Sequence, residues 1–193
     1  LKQEGWYYEK VRFSDPIGVQ PQEDLKVSPE DEKKARAFLD DALVAKGGKK
    51  ITGLKTLHMD AKGQISAQGQ PFDVVISRTF EIPDKMRVDL VVTTPDGDQA
   101  VSYAIDGKSG WQAGNDQKGV RKVVDIGAAD VALLAEQRWH DPEFILTRHL
   151  EKGARVIPLP DEKCGKMSCA VINVTGGDGV STATLFIDKK TKL

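Results

Sequence analysis

The sequence predicts an α+β domain: a curved antiparallel sheet, an incomplete barrel of about eight strands, whose concave apolar side is covered by helices. Three observations carry this expectation. Residues 84–111 alternate apolar and polar through two glycine-bearing turns, which makes a meander. Residues 28–48 carry a complete set of helix start and stop signals around one apolar stripe. Strand-like runs flank both, and the 193 residues are 39% apolar, enough for one buried core.

Taken in order, residues 1–27 read as the end of a preceding module and a linker, with one strand-like run from Tyr7 to Phe13 and then a Pro-, Gln- and Asp-rich stretch. The domain proper is 28–193. Ser28 is a hydroxyl N-cap, Pro29 suits the first helical position, and Glu30 and Asp31 face the positive end of the dipole. Ala35, Phe38, Leu39, Ala42 and Leu43 form the stripe, and Gly47-Gly48 ends the helix. Residues 54–68 and 72–82 form a pair of strands across a Gly69-Gln70 turn. Leu57, Met59, Ala61 and Ile65 face inward with Phe72, Val74, Ile76, Phe80 and Ile82.

In the meander Met86, Val88, Leu90 and Val92 share one face and Val101, Tyr103 and Ile105 repeat the pattern. The turns are Pro95-Asp96-Gly97-Asp98 and Asp106-Gly107-Lys108. Residues 127–138 and 143–151 are predicted helical. Runs 155–159, 170–175 and 182–187 are predicted strands, the last two joined by Gly176-Gly177-Asp178-Gly179. The chain ends in the middle of a strand pattern, so truncation at the C-terminus is expected.

Composition narrows function. With 28 basic and 29 acidic residues, nothing forces a face towards nucleic acid, and no run of apolar residues is long enough to span a bilayer as a helix. The glycine string 176–179 joins strand to strand, so it offers no helix N-terminus to a phosphate. Neither H-x-x-E-H, H-E-x-x-H nor G-x-S-x-G occurs, and the three histidines, His58, His140 and His149, lack a nucleophile or metal partner in the pattern. The reading is therefore a non-enzyme without cofactor or metal.

Cys164 and Cys169 flank a Gly-Lys turn and are expected to close a hairpin disulfide in an oxidising compartment. Reduced structural cysteines are the alternative, since C-x4-C without a second pair makes a weak metal site.

Arg78 is the charged residue that alternation places inward, between Ile76 and Phe80. It must pair, reach the rim, meet an anionic ligand group, or be turned outward by a bulge. The residues expected to line a cavity are Met59, Ile76, Arg78, Phe80, Met86, Leu90, Tyr103 and Trp111 on strands, beneath Leu133, Leu134, Trp139 and Leu146 on the helical lid.

The order strand, Pro-Asp, strand, Asp-Gly-Lys-x-x-Trp resembles the LolA/LolB family of bacterial envelope lipoprotein carriers. More closely, Ala42 to Gly48, Leu54 to Ala67, Ile82-Pro83-Asp84-Lys85, Ile105 to Trp111 and His140-Asp141-Pro142 are similar to LolA-like domains fused behind pitrilysin-type zinc peptidases of Gram-negative bacteria. The resemblance covers roughly residues 35–193. It implies an unclosed barrel around an apolar cavity and a periplasmic or otherwise extracytoplasmic location. It also implies a binding module that shelters an acyl chain, a lipoprotein or another apolar ligand, or else a structural accessory domain of such a peptidase. Nucleic acid is not an expected partner. The carriers place an arginine directly before the proline of this strand pair to hold the lid helix; here Ile82 stands at that position.

Overall fold

A computed structural model describes residues 27–67, 69–115 and 119–193. All but the last residue of the expected linker lies outside them. The described chain is α+β and holds two antiparallel sheets, neither closed into a barrel. Six strands follow one another in a meander: β1 (Thr56–Ala67), β2 (Gln70–Glu81), β3 (Lys85–Thr94), β4 (Gly97–Asp106), β5 (Ser109–Asn115) and β6 (Arg121–Asp125). The second sheet has three strands, β7 (Arg155–Cys164), β8 (Met167–Thr175) and β9 (Thr182–Asp188). One sheet of about eight strands was expected. The division follows from the helical interval between β6 and β7, which carries the chain away so that the last three strands pair only with one another.

α1 (Pro29–Lys46) begins as its sequence signals require. The Ser28 hydroxyl accepts from the Asp31 amide at 3.1 Å, acidic residues fill the first turn, and Gly47 closes the last turn at φ 146°. A single turn, α2 (Lys49–Thr52), follows. Ala35, Leu39, Ala42 and Leu43 of α1 pack against Val156, Ile172, Val174 and Ile187. α1 therefore covers the three-stranded sheet, where the expectation had it and the later helices on the concave side of one sheet of about eight strands. Arg36 ties this unit to what precedes β7, donating from Nη1 to the His149 carbonyl at 2.7 Å and from Nη2 to the Ala154 carbonyl.

α3 (Ala128–Trp139) lies on the six-stranded sheet instead. The expected helix 143–151 is a short 3-10 segment, Ile145–Leu150. Its Leu146 belongs to the α1 core, whereas Phe144, just before it, belongs to the core under α3.

The two-residue β4–β5 turn is closed by Asp106 and Ser109, with Gly107 at φ 59°. Positive φ at the first central residue is what makes glycine the natural choice there. The β7–β8 turn repeats the arrangement with Gly165 at φ 63° between Cys164 and Met167.

Cys164 and Cys169, the pair expected to bridge, stand as free thiols in this structure. Cys164 stands opposite Met167 and Cys169 opposite Glu162, so the two lie on a diagonal of the ladder. The thiols share a hydrogen bond, and that contact, with some burial, pushes Cys164 up to about 11. Cys164 is accordingly expected to alkylate with iodoacetamide at pH 8 about tenfold more slowly than an ordinary cysteine, because the thiolate is the nucleophile and its scarcity outweighs its higher intrinsic reactivity. Peptide mapping after timed labelling measures this, and labelling at the free-cysteine rate would contradict it.

Candidate functional site

Because directly opposed residues share a face, the ladders of the meander define its two surfaces. On one, Leu57, Phe80, Met86 and Ile105 form a rank across the strands. Next come Met59, Arg78, Val88, Tyr103, Gln112 and Val124. A third rank holds Ala61, Ile76, Leu90, Val101, Gly114 and Lys122. Beyond it lie Gly63, Val74 and Val92, then Ile65 opposite Phe72.

The described helices pack on the first ranks. Phe80, Met86, Val88 and Ile105 are buried with Val131 and Phe144, and Met59, Ile76, Tyr103 and Leu134 pack against them. The Phe80 and Phe144 rings meet edge to face at 5.3 Å. Further along, no described helix covers the apolar face: Ile65 is 43% exposed, Val101 42% and Val124 49%. Cleft space opens here. About 320 Å³ lies between β4, β5 and β6, lined by Val101, Gln112, Gly114, Lys122 and Val124. A second cleft of about 480 Å³ lies at the β1–β2–β3 tip, around Gln64, Phe72, Asp73 and Pro95. The expected lid residues line neither of these two clefts.

Arg78 faces inward as alternation requires, and it is paired. Its Nη2 donates to Asp141, whose side chain is fully buried, and its guanidinium lies 5.0 Å over the Phe80 ring. Asp141 also accepts from the Glu143 amide at 3.2 Å, so one carboxylate fixes both the sheet arginine and the turn after α3. Arg138 and Arg148 stand nearby; burial lowers the pKa of both, and their mutual repulsion adds to the effect on Arg138. Burial raises the Tyr103 hydroxyl, with Arg78 opposing.

Several expected cavity residues lie elsewhere. Trp111 pairs with Ala104 and so projects from the opposite face, where the Arg87 guanidinium sits 5.6 Å over its ring. Leu133 is 58% exposed on the far side of α3. Trp139 is buried beside the loop after β8, its indole N–H 3.4 Å from Glu151, and Leu146 is part of the α1 core. Met59, Ile76, Phe80, Met86, Tyr103 and Leu134 do come together, as the filled core described above, and Leu90 sits at the border of the open stretch.

The opposite face is polar and internally bonded. Arg87 grips Asp89 with two hydrogen bonds at 2.8 and 2.9 Å, and Ser102 donates to Asp89 at 2.6 Å while accepting from Arg121. The Arg87 hydrogen bond is the main reason the Asp89 carboxyl lies below the usual range. His58 contacts Thr79 at 2.9 Å and Asp60 at 3.3 Å on this exposed surface. His140 bridges the Glu136 and Thr182 carbonyls, and His149 is buried against Asp40 at 2.9 Å. Among the described residues no group of three or more His, Cys, Asp or Glu is arranged to hold a metal ion. No described helix is long and apolar enough to cross a membrane.

No family model matches the chain, and no curated protein matches it. Among solved structures, the crystal structure of a DUF1329 family protein from Desulfovibrio piger is similar at 11% identity, covering 82% of this chain and 70% of that one with a TM-score of 0.35. That score is too low to bear on fold or function.

Proposed function

We propose that this domain is a non-catalytic binding module that seats an acyl chain or comparable apolar group on the open stretch of the helix-bearing sheet face. The observation that carries this reading is the mismatch between face and cover. The apolar surface runs on through Leu90, Val101, Val74, Val92, Phe72 and Ile65, while helical packing ends near Ile76 and Tyr103. Apolar surface left in water costs free energy in proportion to its area, and contiguous exposed patches of this kind mark binding sites. A ligand under the helices is not part of the proposal, because that space is filled by Phe80, Met86, Val88 and Phe144.

The expected result is saturable binding of a neutral fluorescent acyl ester. Val92→Lys should abolish it, while Val75→Lys, on the opposite face of the same sheet, should leave it unchanged. Equal binding by the two variants, or none by the wild-type chain, would remove the reading.

The second reading is a structural accessory domain behind a pitrilysin-type peptidase, in the envelope of a Gram-negative bacterium. The solid core under α3 favours it, and the motif resemblance supplies the parent. An H-x-x-E-H module encoded upstream, together with no acyl binding, would support it.

A further inference from the structure

We propose that Cys164 and Cys169 form a redox lock on the tip of the β7–β8 hairpin, in which Cys164 takes up a low-molecular-weight disulfide and Cys169 resolves it into an intrachain bridge. This site is separate from the acyl-binding reading and does not depend on it.

The tip is the part of the hairpin that a cross-link would fix. A bulge interrupts β7 between Leu159 and Glu162, and beyond it three pairs remain: Glu162 with Cys169, Lys163 with Ser168 and Cys164 with Met167. A short, exposed pairing beyond a bulge specifies its register weakly. Both cysteines project from one face of the tip, because residues two apart on a strand share a face: Glu162 with Cys164 on β7, Met167 with Cys169 on β8. The two thiols are already hydrogen-bonded to each other.

Access divides the roles. Cys164 is half-buried, whereas Cys169 is 2% exposed, so a dissolved disulfide reaches Cys164 first. The Cys164 thiolate attacks one sulfur of the oxidant, a mixed disulfide forms, and the other half of the oxidant leaves as a thiolate. Cys169, in contact with Cys164, then attacks the Cys164 sulfur and expels the second half. Two protein thiols are oxidised, one disulfide is reduced to two thiols, and the cysteine protons pass to the departing thiolates.

The surroundings make closure slow and reopening slower. The Cys164 thiol is pushed up to about 11, first by its hydrogen bond to Cys169, then by burial and by the negative charge of Glu162 and Asp188. Asp188 stays ionised because the Thr191 hydroxyl and amide hold its carboxyl below the usual range. Strongly oxidising pairs owe their potential to a reduced form stabilised as the thiolate. Here the thiolate is disfavoured, so the reduced form lacks that stabilisation and the closed bridge persists. The pair is a structural lock rather than a redox catalyst.

The test treats the wild-type protein with glutathione disulfide at pH 8, quenches with acid, and maps the peptides by mass spectrometry without reduction. Glutathione is expected on Cys164 alone, arriving about tenfold more slowly than on an ordinary cysteine, and then a peptide pair linked through Cys164 and Cys169. Cys169→Ser should stop at the Cys164 adduct, and Cys164→Ser should take up no glutathione while folded, circular dichroism confirming the fold of each. Closure should slow amide exchange between Glu162 and Ser168. Excess reduced glutathione should leave the bridge intact where dithiothreitol opens it. An adduct that appears first on Cys169, or oxidation that ends in a mixed disulfide with no linked peptide, would overturn the proposal. So would a closed bridge that reduced glutathione opens in the native protein.

Discussion

Phe80→Ala is expected to lower the unfolding free energy by about 3–5 kcal/mol, the usual cost of emptying a fully enclosed aromatic site. Phe80 is wholly inaccessible, its ring stands edge-on to Phe144 at 5.3 Å, and the Arg78 guanidinium lies across it at 5.0 Å. Truncation removes the transfer term, the aromatic pair and the support for a half-buried arginine together. Trp111→Ala should cost far less, about 1–2 kcal/mol, although its ring is larger. It lies on the opposite face, where its described ring contact is the Arg87 guanidinium at 5.6 Å. Urea unfolding of the two variants decides which face of the meander is the core. If Trp111→Ala were as damaging as Phe80→Ala, the β4–β5 register would have to be shifted by one residue, since a slip of one exchanges the faces.

That contrast also shows what was legible. The strands from Thr56 to Asn115 follow alternation and turn chemistry, and α1 follows its Ser28 cap and its stripe, because these signals are local. The misplacement of Trp111 was avoidable. A two-residue turn pairing Asp106 with Ser109 sets Ile105 opposite Gly110 and Ala104 opposite Trp111, so with Ile105 inward, Trp111 must point outward. Leu133 was avoidable too: the buried stripe of α3 passes through Val131 and Leu134, and position 133 falls on the far side of the helix.

β6 was missed for a physical reason. Its Arg-Lys-Val-Val-Asp run is short, charged at both ends and exposed throughout, so it has no burial pattern to read, and with it went the cleft that Gln112, Lys122 and Val124 line. Nor does any periodicity reveal that α1 chooses the small sheet, or that Arg78 finds a partner 63 residues away. Those are outcomes of tertiary packing.

The pairing of Arg78 with Asp141 gives the second large effect, and its two halves should not be equal. Arg78→Met leaves the Asp141 carboxylate, which has no exposed side-chain surface, with the Glu143 amide at 3.2 Å as its remaining described hydrogen-bond donor. An unpaired buried charge of this kind typically costs about 3–5 kcal/mol. Asp141→Ala leaves an arginine that is 29% exposed and can turn its head to water, so the electrostatic part is smaller. What remains is the lost cap on the turn, and about 2–3 kcal/mol is expected in all. The double variant should cost less than the sum of the two, because each single change already breaks the same contact and the stranded carboxylate is gone. Chemical denaturation of the four proteins in one cycle measures the coupling directly. Strict additivity would mean that Arg78 is held by Phe80 and solvent alone. The join between the sheet and the turn after α3 would then have to rest on Phe144 packing rather than on the ion pair.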